Sequence, residues 1–251
     1  MLKDEPGRAI ERVGDTIHRP TGWWTPSVHA LLQHLSSVGF PFSPRVLGFD
    51  QEGREILTYI EGESGAHGWA AIVPEAGLRD FAALLRSFHE AVRTFRPSAD
   101  LEWGFGLIPL EPEQIVCHGD FGPWNVVWRE GRPVGILDWD WACPGNPMDD
   151  IAYALEYAVP FRDDVAAVQW HGFTDAPDRL RRIAIFAEAY GVDLSGSIVD
   201  TVLERMRLDT TRVCYLAARE VEPQATWVRD GKLQETENRM IWIEANRSLF
   251  E

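Results

Sequence analysis

The chain has 251 residues, which is enough for one large domain or for two lobes that share a cleft. Its formal net charge of −15 repels nucleic-acid phosphates and anionic lipid, so we expect neither a nucleic acid nor a membrane as a partner. The 3 cysteines lack metal-ligand spacing and no apolar run approaches the length of a membrane span, which favours reduced thiols and a cytoplasmic location. The sequence leaves the oligomeric state open.

The beginning of the chain predicts a small β-rich unit with one helix. Apolar and polar residues alternate loosely over residues 8–20, and Gly14-Asp15 is typical of a hairpin turn. Thr25-Pro26 is typical of a helix N-cap followed by a proline in the first turn, and Gly39 is the expected end of that helix. A second hairpin is expected before residue 60.

The polar, glycine-containing stretch 61–65 predicts the boundary between an N-terminal lobe, 1–60, and a C-terminal lobe, 61–251. Beyond this boundary the apolar residues recur mainly at helical spacing. Helices are predicted around residues 81–92 and over 150–158, 178–190, 196–218 and 236–249. Two short β-type runs, 125–128 and 134–138, interrupt this helical half and predict a hairpin.

The residues that can carry chemistry lie at the two ends of that hairpin. Asp120 and Asn125 stand five positions apart across one loop, and Asp138 ends the second strand, so the hairpin can bring it beside Asn125. Phosphoryl transfer to a hydroxyl needs a carboxylate that orients the hydroxyl and accepts its proton, and oxygen ligands that hold magnesium against the phosphates. Asp120 can meet the first need. Asn125 and Asp138 can meet the second, because magnesium prefers oxygen ligands.

The loop and the strand that follows it resemble the active centre of the aminoglycoside phosphotransferase family, in the segments His118-Gly119-Asp120 to Asn125 and Ile136-Leu137-Asp138-Trp139. The resemblance implies an α+β, protein-kinase-like fold of two lobes. The N-terminal lobe is expected to be small, shortened and β-rich, and the C-terminal lobe mainly helical. The resemblance also implies a kinase that uses Mg²⁺ and moves the terminal phosphate of ATP or GTP to a hydroxyl of a small molecule.

By the same resemblance, Asp120 is the catalytic base, and Asn125 and Asp138 are the magnesium ligands. His118 corresponds to a histidine that braces the loop, and Asp150 to an aspartate that caps or braces a helix behind the site. Taken alone, Asp120 could equally be a turn residue, and Asp138 could equally cap the segment that follows the strand. The order and spacing of the whole set favour the active centre.

The nucleotide end is carried by weaker signals. The segment 56–62 resembles the last strand of the N-terminal lobe and its hinge, where the Thr58 carbonyl and the Ile60 amide would pair with the purine. An ordinary edge strand is the alternative. No glycine-rich loop precedes residue 20, and Arg19 stands where the family has a phosphate-pairing lysine. The family's glutamate that pairs with this lysine would correspond to a position near Val28 or His29. Arginine can bind phosphate, but Arg19 could equally be a plain surface residue.

The acceptor is expected between the Asp120 loop and the helices that follow Asp150. Gripping a cationic aminocyclitol, the namesake substrate of the family, would need an acidic pocket. Asp140 and Glu156 are the candidate substrate ligands, and Asp140 stays open between a substrate contact, a metal contact and a cap. We expect an acceptor that is cationic rather than anionic, against the alternative of a neutral, tryptophan-lined pocket.

The sequence also allows other functions. The fold that the resemblance implies also serves kinases of choline, homoserine, amino sugars and macrolides. A binding protein that has lost turnover is favoured by the short N-terminal lobe and the missing Lys–Glu pair, and opposed by the intact set of Asp120, Asn125 and Asp138. A metal-dependent hydrolase is disfavoured because the cluster contains one histidine.

Overall fold

The computed structural model of the chain describes residues 10–196 and 198–251. Its strands are β1 (Glu11–Val13), β2 (Thr16–Arg19), β3 (Val46–Phe49), β4 (Glu55–Thr58), β5 (Ile115–Cys117), β6 (Val126–Arg129), β7 (Arg132–Ile136) and β8 (Cys143–Gly145). Its α-helices are α1 (Thr25–Ser37), α2 (Ala66–Ala71), α3 (Glu75–Val92), α4 (Pro147–Ala158), α5 (Asp164–His171), α6 (Arg179–Tyr190), α7 (Ile198–Ala217), α8 (Gln224–Arg229) and α9 (Lys232–Ala245). None of the helices described is both long and apolar enough to cross a bilayer.

The N-terminal strands form one antiparallel sheet in the order β1-β2-β4-β3. The predicted hairpin at Gly14-Asp15 is confirmed from residue 10 onward, with Gly14 at a φ of 59° in the turn. Residues 8 and 9 of that prediction lie outside the described residues. The second predicted hairpin is β3–β4.

Helix α1 is present where the sequence predicts it, but its N-cap is not Thr25. The N-cap residue is Trp24, and the Thr25 hydroxyl instead accepts a hydrogen bond from the Gly22 amide at 2.9 Å. The hydroxyl therefore orders the loop before the helix rather than the helix end. Gly39, at a φ of 77°, follows the helix as expected.

The predicted hairpin of the helical half is β6–β7, whose two turn residues, Glu130 and Gly131, both have positive φ. Such turns suit the right-handed twist of paired strands. The Ile136 amide donates to the Phe42 carbonyl at 2.7 Å, which joins the hairpin to the N-terminal part of the chain. The predicted division between residues 60 and 61 falls in the loop between β4 and α2, and it stays a prediction.

The other predicted helices correspond to α3, α4, α6, α7 and α9. The apolar stripe of α3 is buried, as its spacing predicts. Helix α9 begins at Lys232 and ends at Ala245, a shift toward the N-terminus from the predicted 236–249. The sequence analysis missed α2, α5 and α8, which have 6 to 8 residues and are too short to display a helical period.

One buried arginine ties three parts of the helical half together. Arg182 of α6 donates to the carbonyl of Ala158 at 2.8 Å, of Val73 at 2.9 Å and of Ile72 at 2.7 Å. Ala158 ends α4, and the other two lie between α2 and α3. Its neighbour Arg181 is exposed and pairs with Glu75 on the surface.

We expect Arg182→Met to lower the free energy of unfolding by about 2–4 kcal/mol, because it leaves buried carbonyls without a donor. Arg181→Met is the matched control and should cost less than about 1 kcal/mol, as exposed ion pairs contribute little. Urea unfolding followed by tryptophan fluorescence measures both. Equal losses for the two variants would contradict this account of α6.

Candidate active site

The loop between β5 and β6 is shaped by a close backbone approach. Gly119 has a φ of 81°, and a Cβ built there would lie 2.1 Å from the Trp141 carbonyl oxygen. Only glycine fits that conformation and that gap. The loop therefore passes directly against the 3₁₀ turn Trp139–Trp141, which follows Asp138.

The side chain of Asp120 is held from two sides. The Asn125 amide nitrogen donates to the Asp120 carbonyl and to its carboxylate, both at 2.9 Å. The Tyr153 hydroxyl of α4 donates to the other carboxylate oxygen. Sequence reasoning missed Tyr153, although it lies one helical turn after Asp150 and on the same face of α4.

These surroundings bring the pKa of Asp120 close to neutral. Burial raises the pKa, and the charge of Asp138 raises it further. The hydrogen bonds from Tyr153 and Asn125 lower it, because they stabilise the carboxylate, and the outcome is a pKa of about 7. A carboxyl group with that pKa can take up a proton and release it again near neutral pH.

Asp138 and Asn125 meet at the end of the hairpin. The Leu137 amide donates to the Asn125 carbonyl at 2.8 Å, and both predicted metal ligands line the same cavity as Asp120. The Asp138 side chain is 34% exposed, and the Asn125 amide nitrogen is committed to Asp120, which leaves its side-chain oxygen as an acceptor. These two oxygen donors fit a hard divalent cation.

Among residues 10–196 and 198–251, no cluster of three or more His, Cys, Asp or Glu side chains could hold a metal ion. Protein groups would therefore supply only part of a coordination shell. Magnesium is commonly bound in this way, by one or two carboxylates together with phosphates and water.

Behind the loop, His118 and Asp150 form a buried brace. The Asp150 carboxylate accepts from the His118 amide at 2.7 Å, from the Gly119 amide at 2.8 Å and from the His89 ring at 3.1 Å. The His118 ring donates to the carbonyl of Leu137, the residue that follows β7, at 3.0 Å. Burial by itself would raise the pKa of Asp150, but the His89 hydrogen bond and nearby cationic groups lower it to about 2.

Arg205 of α7 is a second brace, and sequence reasoning missed it. Its guanidinium donates to the Gly119 carbonyl at 2.5 Å and to the Asp149 carbonyl at 2.7 Å, and it pairs with Asp209 at 2.9 Å. It also lies 4.6 Å from the centre of the Tyr153 ring. The spacing of Arg205 and Asp209 predicts an ion pair on α7, but no local pattern indicates that the pair faces the catalytic loop.

Arg19 is partly buried against acidic side chains and is not a plain surface residue. It donates to Glu55 at 2.6 Å and to Asp140 at 2.5 Å, and it lies 3.8 Å from Asp138. Glu55 is buried on β4 and also contacts the His29 ring of α1 at 2.8 Å. Arg19 therefore has a carboxylate partner, but this partner, Glu55, lies on strand β4. Helix α1 supplies His29 at the position where the family's glutamate was expected.

Thr58 and Ile60 lie at the end of an interior strand. Strand β4 has β2 on one side and β3 on the other, so the edge-strand alternative is wrong. The Thr58 amide donates to the Arg45 carbonyl at 2.9 Å. In the described part of the chain the Ile60 amide has no hydrogen-bond partner.

A cavity of about 650 Å³ opens next to Asp120, and we call it the acceptor cavity. One end is formed by the three residues of the catalytic loop and hairpin, and the walls come from α4, α7, α8 and α9. Six aromatic side chains line it, namely Trp69, Trp124, Trp141, Tyr153, Tyr157 and Trp227.

The two predicted substrate ligands occupy different places. Glu156 lines the acceptor cavity, but its carboxylate already contacts the Arg239 guanidinium at 2.6 Å. Asp140 does not line the cavity, and its carboxylate binds Arg19. The arrangement therefore provides no contact between Asp140 and an acceptor in this cavity.

Comparison with known proteins agrees with this arrangement. The model of the phosphotransferase enzyme family matches residues 105–183, which include the catalytic loop and the hairpin. The trifolitoxin immunity protein of Rhizobium leguminosarum bv. trifolii is 33% identical over 201 residues, which cover 77% of this chain and 75% of that protein.

Two solved structures share the fold at low sequence identity. An amicoumacin kinase in complex with AMP-PNP, Ca²⁺ and Ami has a TM-score of 0.58 at 10% identity, over 96% of this chain and 89% of that chain. The GDP complex of aminoglycoside 2'-phosphotransferase-IIIa has a TM-score of 0.54 at 15% identity, over 98% of this chain and 92% of that chain. They confirm the predicted two-lobed α+β, protein-kinase-like fold. The chain belongs to the aminoglycoside phosphotransferase family of protein-kinase-like small-molecule kinases.

Proposed function

We propose that the protein is an O-phosphotransferase that moves the terminal phosphate of ATP or GTP to a hydroxyl of a small molecule. The observation that carries the proposal is that Asp120, Asn125 and Asp138 line one cavity large enough for a small organic acceptor. The Asp120 carboxylate, whose pKa is about 7, therefore lies in the same cavity as two oxygen donors suited to a divalent cation.

In the proposed reaction the acceptor hydroxyl donates a hydrogen bond to the Asp120 carboxylate. As the hydroxyl oxygen bonds to the γ-phosphorus, its proton passes to Asp120. The bond from that phosphorus to the bridging oxygen breaks, and the nucleoside diphosphate leaves. Asn125 and Tyr153 keep the carboxylate oriented, so positioning supplies most of the catalysis.

The nucleotide would be held from both lobes. The Asn125 side-chain oxygen and the Asp138 carboxylate would hold Mg²⁺, which when bound neutralises phosphate charge. Arg19 would contact a phosphate, and its position 3.8 Å from Asp138 supports this because both would face the same phosphate end. The Thr58 carbonyl and the Ile60 amide would read the purine, and the unpartnered Ile60 amide supports that role.

The expected cationic acceptor has narrower support than the charge of the chain implies. The cavity contains five carboxylates, but two of them, Glu156 and Asp209, are paired with arginines. Asp120 and Asp138 are assigned to the base and the metal. An amine of the acceptor would therefore bind at Glu235, which has no ion-pair partner among the described residues.

Replacing Asp120 tests the proposed base. We expect Asp120→Asn to lower kcat by about 10²–10⁴-fold, because the acceptor hydroxyl loses its proton acceptor. Nucleotide binding should change little, because Asn125 and Asp138 remain. Nucleoside diphosphate release measures turnover, and Asp100→Asn on an exposed loop is the control. A near-normal kcat would show that Asp120 is not the base.

A pair of isosteric variants separates the metal ligand from its neighbour. Asp138→Asn should raise the Mg²⁺ concentration for half-maximal activity by about tenfold or more, because it removes an anionic metal ligand. Asp140→Asn removes the same charge close by but frees Arg19, so it should alter the KM for nucleotide and leave the Mg²⁺ requirement near normal. The same shift in both Mg²⁺ titrations would argue against the metal assignment.

A second candidate function is immunity to a toxin, favoured by the relative of 33% identity that is named a trifolitoxin immunity protein. The two functions are compatible if the toxin is the acceptor. The wild type and Asp120→Asn would be expressed in a trifolitoxin-sensitive strain, and the inhibitory concentration measured. We expect protection by the wild type alone. Protection by both would indicate that binding suffices, and protection by neither would exclude this candidate.

A further inference from the structure

One side of the acceptor cavity lies next to three side chains with buried, unpaired nitrogen atoms, Arg162, His171 and Arg239, which we call the arginine cluster. His171 is 1% exposed, and neither of its ring nitrogens has a hydrogen-bond partner in the protein. The Arg162 atoms Nε and Nη2 and the Arg239 atom Nε are also buried without a partner. Buried donors are almost always paired in folded proteins, so the arginine cluster has donors left over after its protein contacts are counted.

The charge of the arginine cluster is not balanced. Glu156 is 2% exposed and contacts Arg239, but no carboxylate described lies within 4.0 Å of Arg162. Burial and the neighbouring arginines lower the pKa of His171 to about 3, so this ring adds no charge at neutral pH. Two guanidinium groups thus share one carboxylate, in a chain whose net charge is −15.

The cluster reaches the cavity through Arg239. This side chain lines the cavity and is 26% exposed. The Arg162 guanidinium lies behind, 5.6 Å from the centre of the Tyr157 ring, and the His171 ring meets Trp69 edge to face at 4.6 Å. Tyr157 and Trp69 both line the cavity, so they form the wall between the cluster and an acceptor.

Helix α4 sets the separation between this cluster and the catalytic base. Tyr153 contacts Asp120, and Glu156 and Tyr157, which contact the cluster, follow within about one helical turn, ~5.4 Å along the axis. The rings of Tyr153 and Tyr157 are 5.0 Å apart. An acceptor whose hydroxyl lies at Asp120 can therefore extend a second polar group to Arg239.

We propose that Arg239, backed by the charge of Arg162, forms an anion subsite of the acceptor cavity, and that the acceptor carries a carboxylate about one helical turn from the hydroxyl that is phosphorylated. The identification of the ligand as the acceptor rests on the proposed function, whereas anion binding does not. A planar carboxylate matches the paired donors of a guanidinium. On this side of the cavity we therefore expect an anionic group of the acceptor, in place of the cationic group that the charge of the chain predicts.

The test compares hydroxy acids with their neutral amides. The probes are hydroxy acids with spacers of about three to seven bonds between hydroxyl and carboxylate, which cover the ~5.4 Å turn. Their dissociation constants are measured by calorimetry without nucleotide, and kcat/KM is measured with ATP and Mg²⁺. For the wild type we expect at least one acid to bind about tenfold or more tightly than its amide, the effect of one charge-assisted contact.

Four variants locate the effect. Arg239→Gln should abolish the preference for the acid, and Glu156→Gln should increase it because the competing carboxylate is gone. The double variant Glu156→Gln/Arg239→Gln removes both partners of this ion pair together, so neither is left as a lone charge, and we expect the variant to fold and show no preference. Arg229→Gln on the exposed face of α8 is the control and should behave as the wild type does.

The outcomes distinguish this inference from the proposed function. Equal binding of acids and amides, no binding of any acid, or an unchanged preference in the folded double variant would overturn the anion subsite. Acid-selective binding without turnover would support the subsite and contradict the kinase. Turnover of amides and acids alike would support the kinase and exclude the subsite.

Discussion

The carboxylate of Asp150 connects the helical lobe to the chemistry of the loop. It lies in the first turn of α4, where the helix dipole favours a negative charge, and it accepts the amides of His118 and Gly119. A fully buried carboxylate is tolerated only because these donors and His89 satisfy it. The loop that carries Asp120 is therefore anchored to the first turn of α4, in addition to its contacts with Leu137 and with Arg205 of α7.

The same helix orders three features of the site. Asp150, Tyr153 and Glu156 follow each other at intervals of three residues, so they lie along one face of α4. The first holds the loop, the second contacts Asp120, and the third lines the cavity beside Arg239. A displacement of α4 would move all three together, so the helix sets the position of Asp120 relative to this wall of the cavity.

The sequence predicted best what lies close together along the chain. Asp120, Asn125 and Asp138 could be foreseen because a single loop and a single hairpin join them, and strong turn residues mark that hairpin. The partner of Arg19 could not be foreseen, since Glu55 comes from a strand 36 positions away and only sheet register brings them together. Arg205 donates to Gly119 across 86 positions, and it depends on the packing of α7 against α4. The role of Asp140 stayed open in the sequence because its contact with Arg19 is decided by tertiary structure.

The walls of the acceptor cavity differ in how much they can change. Helices α4 and α7 line it and also contact the loop that carries Asp120, so a substitution there can displace Asp120. Helices α8 and α9 contribute Trp227, Lys232 and Glu235 to the lining, and no hydrogen bond within the described residues joins them to that loop. Evolution, or a protein engineer, can therefore vary these two helices to change the shape and charge of the cavity while the contacts that hold Asp120 stay intact.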